Sequence, residues 1–71
     1  MHYASMLIRS HTQIVADAGE AALVAAGVSR FTAQSWRKRN SIPARHWALF
    51  IRLGVTTVDE LAAAVIAQAA A

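Results

Sequence analysis

An all-α fold, five helices packed as one compact domain, is predicted from three observations. Glycine and proline occur only at Gly19, Gly27, Pro43 and Gly54, and the segments between them have helical length. No stretch alternates apolar and polar residues as a half-buried strand does. Apolar residues make up 56% of the 71-residue chain and alanine dominates them, so small residues must pack between a few large anchors, which suits closely approaching helices. A chain of this length has room for one core, and residues 1–71 are expected to form a single domain.

The first helix is expected to begin near Ser5 or Ser10 and to end before Gly19, with Leu7, Ile8, Ile14 and Val15 as its larger apolar residues. A short second helix over residues 20–26 carries Glu20 in its first turn, where a negative charge complements the helix dipole. Gly27 then supplies the left-handed backbone that other residues resist. Ser29 offers a side-chain oxygen to cap a third helix over residues 30–39. Two helices therefore meet across a tight turn.

Pro43 disfavours helix in the residue before it and suits the first turn of the next, so a fourth helix is expected to start there. It continues through the stripe Trp47, Phe50 and Ile51 and stops at Gly54. The run Thr57-Val58-Asp59-Glu60 matches a capping box, in which Thr57 caps the Glu60 amide and Glu60 reaches back to the Thr57 amide. This opens a fifth helix, expected over residues 58–71, whose alanine-rich end favours helix over disorder.

The net charge of +3 is modest but unevenly distributed. Arg30, Arg37, Lys38, Arg39, Arg45 and Arg52 share a stretch that contains no acid, while Asp17, Glu20, Asp59 and Glu60 all lie outside it. A positive patch of this kind attracts phosphates and gains by releasing their counterions, the alternative being an ordinary solvated charged face. The absence of cysteine excludes disulfides, thiolate nucleophiles and cysteine zinc sites. His2, His11 and His46 show no metal-ligand spacing, and no nucleophile pairs with a base in a recognisable pattern, so neither metal, cofactor nor enzyme activity is expected. No apolar run approaches the roughly 20 residues of a membrane span, and the start MHYASMLIRSH lacks a signal-peptide pattern. The expectation is a soluble, untargeted, cytoplasmic protein with no membrane association and no small-molecule ligand.

The segment over residues 19–38 resembles the helix-turn-helix of phage Cro and CI repressors, with Gly27 at the turn and Trp36 nine residues later as the buried anchor. Downstream, Trp36, Arg39, Ile42-Pro43-Ala44 and Trp47 look like the W-x-x-R-x-x-IPA-x-x-W pattern of small Cro-like regulators from bacterial and prophage genomes. The resemblance implies a five-helix lambda-repressor-like fold with a central helix-turn-helix over residues 20–39. Family members usually hold alanine where this chain has Leu23 and Val or Ile where it has Ala33. The two exchanges compensate in volume across the helix pair.

If the resemblance holds, the third helix enters the major groove of double-stranded DNA with its first turn nearest the bases. Base contacts are then expected from Arg30 to guanine, Gln34 to adenine, Phe31 to a thymine methyl, and Ser35. Phosphate contacts are expected from Ser29, Arg37, Lys38, Arg39, Asn40 and Arg45. A core position for Phe31 is the alternative, and Trp36 and Trp47 read as core anchors.

The fifth helix carries no charge after Glu60 and shows two apolar lines, Leu61 with Val65, and Ala62 with Ile66 and Ala69. These predict a two-fold homodimer through this helix, able to read a pseudo-palindrome with half-sites about 34 Å apart. A monomer with the tail folded on its own core is the alternative. The function implied by the resemblance is a transcriptional repressor that occludes a promoter. A helix-turn-helix reused as a protein-interaction adaptor or antirepressor is the second reading, and a basic amphipathic membrane-surface binder the third, against which the dispersed core anchors and internal caps argue.

Overall fold

The computed structural model describes residues 8–70, arranged as α1 (His11–Ala18), α2 (Glu20–Ala25), α3 (Arg30–Arg39), α4 (Trp47–Arg52) and α5 (Val58–Ala70), with a single 3₁₀ turn (Ala44–His46) leading into α4. No strand occurs among the described residues, and the fold is helical and compact. Ser10 caps α1: its hydroxyl accepts the Gln13 amide at 3.1 Å. Ser5 and Leu7 lie outside the described residues, as do His2 and Ala71.

The turn between α2 and α3 forms because Gly27 adopts φ +98°. That conformation turns the Val28 amide onto the Leu23 carbonyl at 2.9 Å and the Gly27 amide onto Val24 at 3.0 Å, a Schellman closure of α2. Ser29 then caps α3 by accepting the Thr32 amide at 3.1 Å. A second Schellman closure ends α3, this time with Asn40 as the left-handed residue at φ 55°, the Ser41 amide reaching Trp36 and the Asn40 amide reaching Arg37. Asparagine tolerates this conformation because its short polar side chain bonds locally.

Two expectations near Pro43 and Thr57 need correction. Pro43 stays extended at ψ 140° and precedes a 3₁₀ turn, so α4 proper begins only at Trp47. Ile51 is 40% exposed, leaving Phe50 as the buried member of the expected stripe and Trp47 half-buried. The Glu60 amide does bond Thr57 Oγ1 at 3.1 Å, but the Glu60 carboxylate does not reach back to Thr57. It is held by Arg9 and Thr56 instead.

The core sits where the five helices meet: Ile14, Val15, Leu23, Ala33, Trp36, Ile42, Phe50 and Leu61 form one buried cluster. Trp36 stacks tilted on Phe50 with ring centres 5.8 Å apart. Trp47 packs against this cluster while its indole N–H donates to the Ile42 carbonyl at 2.8 Å, so its polar edge is satisfied at the core boundary. Leu23 and Ala33 are both buried, and both line one cavity of about 260 Å³ between α1, α2 and α3.

Candidate nucleic-acid interface

The turn of a helix is 3.6 residues, so burying Ala33 and Trp36 fixes which side of α3 faces outward. Phe31 and Lys38 lie opposite that buried line, with Arg30, Gln34, Ser35 and Arg39 flanking them. All of these are exposed except Ser35, which is half-buried. Phe31, Gln34, Ser35, Lys38 and Arg39 together line a shallow surface concavity. Phe31 is not in the core: it is 70% exposed, and the Arg30 guanidinium lies over its ring, 5.2 Å from the centroid. The four residues expected to touch bases are thus on one helix face.

The expected phosphate contacts separate into two groups. Arg37, Lys38 and Arg39 are exposed along the last turn of α3, where their charge also complements the helix dipole, and Arg45 is exposed on the following 3₁₀ turn. The Arg45 Nε–H donates to His46 Nε2 at 3.3 Å, and the His46 ring stacks on Trp36 at 4.9 Å, which ties this cation to the end of α3. Ser29 and Asn40 have other duties. The Ser29 hydroxyl caps α3 and donates to Thr32 Oγ1. Asn40 Oδ1 accepts the Thr12 amide at 2.9 Å, satisfying a free N–H in the first turn of α1. The same oxygen and the Arg37 carbonyl both stand within 2.9 Å of the Thr12 hydroxyl, which shares its one proton between them. Asn40 therefore fixes the end of α3 to the start of α1.

Electrostatics separate along the same lines. Arg9 is the one basic residue outside the patch, and the sequence reading did not single it out. Its guanidinium donates to both Glu60 oxygens at 2.9 and 2.6 Å, to Asp17 at 2.9 Å and to the Val55 carbonyl at 2.7 Å. The paired guanidinium draws the Glu60 carboxyl down to about 2, against the opposing effect of partial desolvation and with help from Thr56, and it lowers Asp17 as well. Arg9 is in turn held charged above its usual range, chiefly by its bonds to Glu60 and then Asp17. Two of the four acids are thereby matched by the one arginine that lies outside the stretch from Arg30 to Arg52. Among the described residues, none of the six cations from Arg30 to Arg52 enters an ion pair.

His11 was expected to be neither ligand nor catalyst, and the structure gives it a packing role that no spacing signalled. Its ring is 2% exposed, its Nδ1 accepts the Ile42 amide at 2.8 Å, and its Nε2 lies 3.0 Å from the Leu61 carbonyl. An accepting Nδ1 requires the proton on Nε2, which then donates to that carbonyl. The ring stands edge-on to Trp47 at 6.0 Å. Among the described residues, no group of three or more His, Asp or Glu side chains could hold a metal ion.

On α5, Leu61 is removed from the expected shared surface, since it is fully buried in the chain's own core. The outward side instead carries Val58 at 53%, Val65 at 44% and Ile66 at 69% exposure, together with exposed Ala69 and half-buried Ala62. Val58, Ala62, Val65 and Ala69 repeat at spacings of four, three and four, so they form one stripe along the helix, with Ile66 at its edge. Among the described residues, no helix is long and apolar enough to cross a membrane. No family model matches the chain, and no curated protein or solved structure matches it.

Proposed function

We propose that this chain is a sequence-specific DNA-binding regulator of the lambda-repressor-like helix-turn-helix type, acting as a dimeric repressor. One observation carries the reading: α3 turns Phe31 and Lys38 directly away from its buried Ala33–Trp36 line, with Arg30 and Gln34 exposed beside them, within a set of six cations that form no ion pair among the described residues. With its side chains a helix is about 10–12 Å across, which fits a major groove roughly 12 Å wide, and the ten residues of α3 extend about 15 Å along it. Its first turn offers Arg30 for the O6 and N7 edge of guanine, and Gln34 one turn later for the N6 and N7 edge of adenine. Arg37, Lys38, Arg39 and Arg45 then hold the flanking phosphates and fix the register.

A single α3 reads only a few base pairs. A second copy, docked through the Val58, Ala62, Val65 and Ala69 stripe, supplies the other half-site and raises affinity by effective concentration. Occupying a promoter is then sufficient to repress it.

The test is selection from a randomised duplex library, followed by titration of the enriched duplex and a scrambled one over a range of salt. Four phosphate-binding cations per protomer, eight per dimer, give a slope of log K against log salt of about −7. The enriched duplex should keep its advantage over the scrambled one, and Arg30→Ala with Gln34→Ala should remove that advantage while leaving the salt slope nearly intact. Equal binding to both duplexes by the unaltered protein would refute sequence-specific reading.

A further inference from the structure

Phe31 is the most exposed large apolar side chain among the described residues, and it is placed on the first turn of a basic helix with an arginine stacked on it. A phenylalanine left 70% in water serves no packing role in its own chain. The stack with Arg30 gives the pair a joint geometry: an apolar ring edge directly beside a guanidinium fork, with a cation–π attraction holding the fork over the ring. In the major groove the chemical partner of the fork is the O6 and N7 edge of guanine. The pyrimidine immediately 5′ of that guanine projects its C5 substituent beside the same edge, and a methyl group there is the apolar partner that an exposed ring covers.

From this we infer that Arg30 and Phe31 act together as a reader of a 5-methylpyrimidine–guanine step, the pyrimidine being thymine or 5-methylcytosine. The inference rests on the DNA-binding reading above and adds to it the identity of the step and a sensitivity to cytosine methylation. The two bases present the same C5 methyl at the same place, and they differ at the 4-position, where neither Arg30 nor Phe31 makes a demand. Unmethylated cytosine lacks the group. An operator carrying C-G at this step is therefore bound more tightly once methylated. Phe31 is also a positioning residue for Arg30, because the ring restrains a long side chain whose freedom is otherwise lost on binding.

The experiment uses the full chain and duplexes from library selection. The enriched motif is expected to contain a thymine–guanine step, and its thymine is then replaced by uracil, cytosine or 5-methylcytosine, with each partner base adjusted to keep the pair. Loss of one buried methyl weakens binding about fourfold per half-site, so uracil and cytosine should each fall by that factor while 5-methylcytosine stays near thymine. Phe31→Ala should erase the thymine-to-uracil ratio and reduce the preference for the adjacent guanine. Phe31→Leu should keep the methyl response but lose part of the guanine preference, since leucine has no π face. Both variants change an exposed side chain, and their helical circular dichroism should match the parent. An enriched motif whose thymine tolerates uracil overturns this inference alone, as does a 5-methylcytosine duplex that binds no better than cytosine. Failure of the folded protein to enrich any motif overturns it together with the DNA-binding reading.

Discussion

Replacing His11 with phenylalanine keeps a ring of similar size against Trp47 but removes both polar contacts of a residue that is 2% exposed. The consequences for the two partners differ. The Leu61 carbonyl lies in the first turn of α5, where the helix itself supplies an amide four residues on, so it keeps one hydrogen bond. The Ile42 amide lies in the connection between α3 and the 3₁₀ turn, in a residue 2% exposed, and His11 Nδ1 is its acceptor at 2.8 Å. Orphaning a buried amide costs ~1–3 kcal/mol, and losing the second contact adds ~0.5–1 kcal/mol, giving about 3 kcal/mol in total. For a chain of 71 residues this lowers the melting temperature by about 15 °C. It is a large share of the ~4–10 kcal/mol such a domain has. The assay is urea and thermal denaturation followed by circular dichroism, with His11→Asn measured in parallel. The asparagine carboxamide can present an oxygen near the Nδ1 position, so it should recover part of the loss despite its smaller volume. A His11→Phe protein within about 0.5 kcal/mol of the parent would refute the assignment of His11 as the acceptor for Ile42.

Three further outcomes follow from particular contacts. The Glu60 carboxyl drops from its usual 4.5 to about 2 on folding, so its contribution is complete above pH 4.5 and is lost as pH falls toward 2. That drop corresponds to ~3 kcal/mol, which solvent screening of a side chain one-fifth exposed reduces to about 2 kcal/mol; Glu60→Gln should lower stability at pH 7 and flatten the acid limb of a stability–pH curve. Asn40→Ala removes the cap on Thr12 and strains a left-handed residue, an expected loss of about 2 kcal/mol by urea melting, whereas Asn40→Gly keeps the backbone conformation and should lose only about half of that. Val65→Glu places a charge on the exposed stripe of α5; sedimentation should show a dimer of the parent chain and a monomer of the variant, and identical monomeric profiles for both would exclude α5 as a dimer contact.

Much of the local architecture was legible because it is encoded within four residues. Ser29 as the cap of α3, Gly27 as the left-handed turn, Gly54 after α4 and Thr57 under Glu60 each depend on one side chain or one φ angle and its near neighbours. The outward face of α3 was legible for a related reason: once Trp36 is taken as buried, helical periodicity places Phe31, Gln34 and Lys38 on the other side. Choosing between a buried and an exposed Phe31 needed the fold, since the residue's apolarity argues for either.

The sequence by itself determined the helices, most of their ends, and the segregation of six cations from all four acids. Only the tertiary structure decided what holds the helices to one another. Arg9 meets Glu60 across 51 positions, His11 meets Leu61 across 50 and Ile42 across 31, and Thr12 meets Asn40 across 28. The same long-range packing put Leu61 inside and freed Val65 and Ile66, and it brought Asn40, read from the sequence as a phosphate contact, onto the first turn of α1 as the acceptor for the Thr12 amide. A cap, a turn or a charge run is set by neighbours along the chain, whereas a polar side chain far from its partner acquires a role only when the folded core removes water and leaves one donor facing one acceptor.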